Sequence, residues 1–398
     1  MAPATARPLD GLKALELGQL LAGPFAGTLL GYWGASVIKV EPLDGDPLRS
    51  WRALEEDGTS VWWRSLSRNK RCISVDLRTV EGQQLIRRLA AQADILVENF
   101  RPATMESWGL GPEELRALNP RLIYGRVSGF GQTGPSRERP GFASVCEAAA
   151  GLRHLTGHPG QAPVRSNLSL GDTLGGLHAM MGILLALVHR ERTGQGQVVD
   201  VALTESIFMV LESVLPEMDR LGVSRDPSGT SITGVVPSNA YCCSDDAWVV
   251  IGANTDGLFQ RLMRALGEQE MADDRALASN PGRVANVARI DAAIGRWCAQ
   301  RPADEVVQTL GAVGVPASRV NDAAAILRDP QFVHRGVMER VGETARTLPA
   351  LFPKLSLTPG RTDWEGPSIG HHTEEVLREL GVPDDEIAAL AARHVIRR

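Results

Sequence analysis

The feature that most limits the possible folds lies in residues 12–42. Residues 12–17 (LKALEL) read as a short strand, and Gln19-Leu20-Leu21-Ala22-Gly23-Pro24 as a tight turn. Residues 25–33 form an apolar helical patch closed by Gly34, and Ser36-Val37-Ile38-Lys39-Val40-Glu41 reads as a second strand ended by Pro42. Strand, helix and strand within about thirty residues is the size of a βαβ unit. The alternation continues: strands at 72–77, 94–100 and 122–127, helices at 80–91 and 112–118. Parallel strands need such crossovers, so the reading is an α/β fold with a mostly parallel sheet and covering helices. Open sheets of this kind bind ligands at the carboxyl ends of their strands, which is where Ala22-Gly23 would fall.

A second informative stretch is Gly171-Asp172-Thr173-Leu174-Gly175-Gly176, followed by an apolar run over residues 177–188. The run is long enough for a buried helix and rich in helix formers. His189, Arg190 and Arg192 sit at its far end, where the helix dipole favours cations, and Gly194 is a stop signal. Asp172 therefore falls at the start of the helix. An aspartate there is commonly just an N-cap. The same geometry also keeps a carboxylate ionised, and flanking glycines let another molecule approach it. An ionised carboxylate in a small-residue setting suits covalent chemistry at an acyl centre.

At 398 residues the chain is long enough for one to three domains. Its net charge of −5 argues against a dedicated nucleic-acid binder. The N-terminus MAPATARPLDGLK has no apolar core, and no uninterrupted apolar stretch reaches membrane-spanning length, so a cytoplasmic protein without a membrane partner is expected. The five cysteines, Cys72, Cys146, Cys242, Cys243 and Cys298, form no Cys-x-x-Cys pair and read as free thiols. No nucleophile elbow, P-loop or His-Glu-x-x-His occurs, and no metal site is expected. Gly129, Gly131 and Gly134 match the dinucleotide-binding spacing, but Pro135 and a loop follow where that motif needs a helix. The basic cluster Arg64, Arg68, Lys70, Arg71 reads either as a solvated face or as a contact for an anionic cofactor.

A helix is expected over residues 204–218. Residues 219–229 then read as a linker, 230–330 as a smaller α+β domain, and 331–398 as an irregular, Pro-rich segment ending in two helices.

Several segments together resemble the class III coenzyme A transferases, a family that includes formyl-CoA transferase and α-methylacyl-CoA racemase. They are Pro8-Leu9-Asp10-Gly11, Leu21-Ala22-Gly23-Pro24, GASVIKVEP at 34–42, Asn69-Lys70-Arg71, DILVENFRP at 94–102, Ser128-Gly129-Phe130-Gly131, Gly171-Asp172 and Thr193-Gly194-Gln195-Gly196-Gln197. The resemblance implies an interlocked homodimer. Each chain would have a large Rossmann-like domain over 1–218, a small domain, and a C-terminal segment returning to the large one. It implies an enzyme that moves CoA from a small acyl-CoA to a carboxylic acid, with coenzyme A as substrate and no resident cofactor. Asp172 stands at the position of the family's catalytic aspartate.

By position, Leu20, Leu21 and Ala22 resemble the turn that meets CoA through its backbone. Val75 and Arg78 match positions flanking adenine and phosphates, Asn99 and Phe100 a pair near the CoA arm, and Leu203 a position near the pantetheine. Pro42 and Ser107 stand where formyl-CoA transferase carries arginines, so Arg71, Arg78, Arg101 and Arg139 become the candidates for the phosphates. Backbone N–H groups of residues 171–176 are candidate oxyanion donors. Arg165, and Arg49 or Arg52, are candidates to hold a second carboxylate, which would suit a succinyl-like donor and a dicarboxylate acceptor. Gly234 is the candidate for the family's glycine-rich covering loop. The rival functions on this scaffold are an acyl-CoA racemase and a non-catalytic CoA binder. The racemase histidine position reads Phe142, which moves no proton.

Overall fold

The computed structural model describes residues 6–342 and 345–398. In chain order the elements are β1 (Lys13–Glu16), α1 (Ala22–Tyr32), β2 (Ser36–Glu41), α2 (Val61–Leu66), β3 (Lys70–Val75), α3 (Val80–Ala90), β4 (Ile95–Glu98), α4 (Thr104–Ser107), α5 (Pro112–Leu118), β5 (Ile123–Ser128), α6 (Ala143–Ala149), α7 (Leu152–Leu155), α8 (Leu170–Thr193), β6 (Val198–Ala202) and α9 (Leu203–Phe208). There follow α10 (Val214–Leu221), β7 (Ser238–Cys242), β8 (Trp248–Gly252), α11 (Asp256–Leu266), α12 (Gln269–Asp273), α13 (Asn280–Ala285), α14 (Val287–Cys298), α15 (Ala303–Ala312), β9 (Ala317–Arg319), α16 (Ala323–Arg328) and α17 (Pro330–His334). The chain ends with β10 (Met338–Val341), β11 (Arg346–Pro349), α18 (Thr373–Glu379), α19 (Asp384–Ala392) and β12 (Ile396–Arg397).

Contacts divide the chain into two units. The first holds the described residues of Met1–Leu152, Ser166–Glu212 and His334–Arg398; the second holds Arg153–Arg165 and Ser213–Val333. The first is built on a sheet ordered β12-β3-β2-β1-β4-β5-β6. Its pairs are parallel, except that β12 runs antiparallel to β3. The parallel part has the doubly wound order, with its switch point between β1 and β4. Alternate strand residues face opposite layers, as the two-residue repeat demands. Ala14, Val37, Ile95, Val97 and Ile123 pack with Leu29 and Leu30 of α1 and Ile183 of α8. Leu15, Val40, Ile73, Leu96 and Tyr124 pack with Ile86 of α3, Leu115 of α5, Leu377 of α18 and Ile387 of α19. Burial on both faces explains why β4 is apolar nearly throughout. The second unit is α+β: a three-stranded antiparallel sheet β7-β8-β9 whose core includes Val249, Ile251, Phe259, Ile294 and Leu310.

Three expectations need correction. The helix expected over 204–218 is two helices, α9 and α10, broken where Glu212 takes a left-handed φ of 52°. Residues 219–229 are not a linker between units; the second unit begins at Ser213 and also takes in Arg153–Arg165. The segment after 331 contains an antiparallel pair, β10 with β11, that its prolines and glycines concealed.

The turn after β1 is held from below by buried charge. Leu20 takes a left-handed φ of 63°, which costs a leucine about 1–2 kcal/mol. Lys39 Nζ donates to the Gly18 carbonyl at 2.8 Å and to Glu16 at 2.9 Å, and pairs with Asp46 at 2.9 Å. Asp46 in turn accepts the Leu20 N–H at 3.2 Å. Lys70 Nζ bonds the Pro24 carbonyl at 2.6 Å and Glu16 at 2.8 Å. Glu41 accepts Arg49 through two nitrogens at 2.7 Å and the Asp46 N–H at 3.0 Å. From the side, Asn99 at the end of β4 accepts the Gln19 N–H at 2.7 Å and donates to the Gln19 carbonyl at 2.9 Å. Three cations (Lys39, Lys70, Arg49) thus face three carboxylates (Glu16, Asp46, Glu41), all buried. Burial disfavours the charge on Lys39, but Asp46, Glu16 and Glu41 outweigh it and the pKa is raised.

Lys39→Met removes the hub and leaves Glu16 and Asp46 buried without their shared partner. The expected loss is about 3–5 kcal/mol, read as a fall in the urea midpoint. An unchanged midpoint would show the network to be energetically idle.

Glu98 at the end of β4 gives a pH-dependent contribution. Burial pushes its carboxyl up to about 7, against the pull of Arg126 Nε at 2.8 Å and the Phe100 N–H at 2.7 Å. Its folded pKa lies above the unfolded value. This group therefore contributes stability at low pH, and the contribution is lost as pH rises through 7. Glu98→Gln, which cannot ionise, is expected to flatten the fall in unfolding free energy between about pH 5 and pH 8. Parallel curves for the two proteins would exclude that origin.

Candidate functional site

A cavity of about 400 Å³ opens at the carboxyl ends of β1, β2 and β3, where the switch-point rule puts a ligand. Leu17 and Gln19 line it from β1, Val40, Glu41 and Pro42 from β2, and Val75, Asp76 and Arg78 from β3. Phe100 and Trp108, stacked edge to face with centroids 5.3 Å apart, close the β4 side. Arg78 stands at its rim, 81% exposed, and is paired with Asp76 at 2.8 Å, which raises the guanidinium pKa further. No side chain caps the start of α1, which leaves the backbone there to contact a ligand.

On the far side of the turn lies a second cavity of about 300 Å³, bounded by Leu21, Phe25, Trp62, Arg68, Leu351 and Thr173, among others. Thr173 is the neighbour of Asp172 in the first turn of α8. Asp172 is the third residue of this helix, half-buried, and not its cap; the cap position is Ser169. Glycines seat this turn closely. A Cβ on Gly171 would stand 3.0 Å from Ile207 of α9 and 3.2 Å from Ala143 of α6. One on Gly176 would stand 2.9 Å from the Ala22 carbonyl oxygen, so Gly176 allows α8 to touch the start of α1. Buried Glu147 of α6 accepts the Gly171 N–H at 3.3 Å. Burial pushes the nearby Cys146 thiol up to about 11, with repulsion from Asp172 and Glu147 adding to it and Arg139 opposing it. That thiol is neutral at pH 7 and is a poor nucleophile beside the carboxylate.

The expected site residues separate into groups. Val75, Arg78 and Phe100 line the larger cavity, and Leu21 lines the smaller one. Leu20, Ala22 and Asn99 form and brace the turn between them. Arg101 is exposed and donates to the Glu138 carbonyl at 3.1 Å; Arg139 is exposed with its guanidinium 5.2 Å from the Phe130 ring centre.

Several of the other candidates have partners within their own unit. Arg71 lies toward the amino-terminal end of the sheet, paired with Glu375 and Glu379, and lines neither cavity. Its neighbours Arg64, Arg68 and Lys70 also bind partners within the unit, so the basic cluster is neither a solvated face nor a phosphate grip. Arg49 is stacked 3.7 Å from the Trp63 ring centre, with its nitrogens on Glu41 and the Pro367 carbonyl; it has no free edge for a substrate. Leu203 is buried against Gly175 and packs α9 on α8. Of the backbone N–H groups of 171–176, Gly171 donates to Glu147 and Thr173 to the Ser169 carbonyl, and those of 174–176 lie within the helix ladder; that of Asp172 lies in the first turn, ahead of the ladder. Arg165 and Gly234 belong to the second unit, where both are exposed and the Gly234 carbonyl accepts from Asn280 at 2.8 Å.

Sequence reasoning missed Lys39, Asp46, Glu147 and Trp62. A signal existed for the first: a lysine inside the strand Val37-Ile38-Lys39-Val40 is a buried charge that needs partners. Glu147 had no such signal, because α6 follows a loop and its register is set by packing. Among the described residues no cluster of three His, Cys, Asp or Glu could hold a metal.

Comparison with known proteins agrees with this geometry. The family model described as CoA-transferase family III matches residues 9–373. The chain is 46% identical over 397 residues to the succinyl-CoA–D-citramalate CoA-transferase of Chloroflexus aurantiacus, covering 98% of each. It is 40% identical over 402 residues to the beta subunit of that organism's succinyl-CoA–L-malate CoA-transferase, covering 98% of this chain and 99% of the other. Among solved structures, a CAIB/BAIF family protein from Brucella suis superposes with a TM-score of 0.85 at 35% identity, covering 94% of this chain and 100% of that one. The chain belongs to CoA-transferase family III and is a CoA-transferase.

Proposed function

We propose that the protein transfers CoA from succinyl-CoA or a similar small acyl-CoA to a small dicarboxylate, through covalent intermediates on Asp172. The observation that carries this reading is the seat of Asp172. It lies in the first turn of α8, where the dipole favours an anion, among glycines, and next to Thr173 in the wall of a cavity. The similar Chloroflexus enzymes are named for succinyl-CoA and for citramalate or malate, which are dicarboxylates of the same size class.

The chemistry runs in balanced steps. A carboxylate oxygen of Asp172 attacks the thioester carbonyl; the C–S bond breaks, giving an aspartyl–acyl anhydride and CoA thiolate. The thiolate attacks the Asp172 carboxyl carbon and expels the donor acid, leaving an aspartyl–CoA thioester. An acceptor carboxylate displaces CoA from that carbon to form a second anhydride. The thiolate then attacks the acceptor's carbonyl, giving the new acyl-CoA and free Asp172. Protons, electrons and metals are not consumed, so no resident cofactor is invoked. The larger cavity suits the nucleotide end of CoA, with Arg78 at its rim and Val75 and Phe100 as walls. Arg101, through nitrogens other than the one on the Glu138 carbonyl, and Arg139 are exposed and add phosphate contacts in this reading. The racemase alternative has no support at Phe142, which is 71% exposed and carries no titratable group.

A homodimer is part of this proposal. Leu177, Met181, Leu184, Leu185 and Val188 are at least 40% exposed and fall on one face of α8. An apolar face of this length marks an interface, and we assign it to a second copy of the chain. The large-plus-small domain layout follows the two units. A cytoplasmic setting fits five cysteines that are all free.

Two experiments test this. Incubation with succinyl-CoA and hydroxylamine is expected to leave a hydroxamate on the Asp172 peptide, seen by mass spectrometry. Asp172→Ala is expected to lose the adduct and to reduce transfer by about 10³-fold or more. Full transfer by that variant would sink the covalent route. For the dimer, Leu185→Asp is expected to shift the sedimentation coefficient to that of a monomer; an unchanged value would place the interface elsewhere.

A further inference from the structure

We propose that Arg52 grips the second carboxylate of the acceptor, the one that does not react; this deepens the dicarboxylate reading above and rests on it. Arg52, Arg49, Arg64 and Arg68 all surround α2, and three of them are occupied. Arg49 holds Glu41, Arg64 bonds Glu55 and the Gly366 carbonyl, and Arg68 donates to the Ser65 and Pro349 carbonyls. Arg52 is exposed and makes no hydrogen bond or ion pair among the described residues. Its guanidinium is stacked, with its carbon 4.1 Å from the centre of the Trp62 ring.

That stack leaves the working edge open. A guanidinium on an aromatic ring uses its face, whereas its N–H donors lie in its plane and remain available for a carboxylate. Trp62 is also a wall of the cavity that Thr173 borders, so the open cation sits on a residue shared with the Asp172 side of the site.

Arg52 is held in place before any ligand arrives. Its φ of 62° is left-handed, an unfavourable conformation for arginine that the flanking bonds enforce. The Trp51 carbonyl accepts the Ser60 hydroxyl at 2.6 Å, and the Ala53 carbonyl accepts the Val61 N–H at 3.1 Å. Ser60 also caps α2 by accepting the Trp62 N–H at 3.1 Å. One serine therefore fixes both the arginine's loop and the ring on which it stacks. A fork stacked on Trp62, itself a wall of a cavity of about 300 Å³, suits recognition of a short second carboxylate.

The test is a selectivity ratio. With succinyl-CoA as the fixed donor, kcat/KM is measured for glutarate and for pentanoate, which has the same chain length and lacks the second carboxylate. Sharing the donor makes any donor effect common to both. For Arg52→Ala the glutarate-to-pentanoate ratio is expected to fall by about tenfold to a hundredfold, with the loss mainly in the glutarate KM. Arg52→Lys, which keeps the charge but not the fork, is expected to recover part of it. An unchanged ratio in Arg52→Ala, with the hydroxamate still forming on Asp172, overturns the role of Arg52 alone. No hydroxamate in the unmodified protein overturns the Asp172 reading and this one with it.

Discussion

Beneath the turn that follows β1, six charges are buried in contact: Lys39, Lys70 and Arg49 against Glu16, Asp46 and Glu41. Such a set gains little net stability over an apolar core, because desolvation offsets most of the attraction. What it does supply is direction. A lysine ammonium carries three donors, and Lys39 aims them at two carboxylates and one backbone carbonyl. Asp46 answers by taking the N–H of Leu20, the residue in the strained conformation. The backbone of residues 18–24 is thereby held in a shape that apolar packing alone would not select. The two cavities lie on either side of that turn, so their spacing depends on it.

The fold concentrates function at this place for a topological reason. Crossovers on opposite sides of β1 leave a crevice between β1 and β4, and the turn occupies it. Asn99 bridges the crevice by pairing with both backbone groups of Gln19. Gly18 and Gly23 permit this, since a Cβ on either would fall within 3.3 Å of the Asn99 side chain. Gly176 then brings the start of α8 against the same turn. Three segments far apart in sequence meet through residues chosen for what they lack.

Much of this could be read from sequence, for reasons that differ by element. The βαβ rhythm of residues 12–42 is a property of local periodicity, so the parallel sheet was visible. The place of Asp172 in the first turn of α8 was visible because an apolar run with cations and a glycine at its far end fixes where the helix starts. The arginines were not. Arg49 and Arg52 are three residues apart and look alike in sequence, yet one is closed inside Glu41 and Trp63 and the other lies open on Trp62. Long side chains reach partners fixed by tertiary packing, and local pattern says nothing about which partner wins. The same holds for Arg71, whose partners Glu375 and Glu379 lie about three hundred residues along the chain. Most of the N–H groups of 171–176 have internal acceptors for a simpler reason. Helix α8 starts two residues before Asp172, so the ladder takes those from Thr173 onward, and Glu147 takes that of Gly171.

Under the proposed function, helix α8 links catalysis to assembly. By length and composition it resembles a membrane span, but its inner face packs on the sheet and Arg190, buried near its end, bonds Asp94 at 3.0 Å. Leaving the sheet for lipid would strip that pair, which favours the proposed protein partner for the outer apolar face. Under the proposed dimer, the rod that meets the second copy is the rod that carries Asp172 in its first turn. A rigid helix transmits a shift at one end to the other. Docking of that partner and placement of the proposed nucleophile are then coupled equilibria, and each must favour the other by the same free energy.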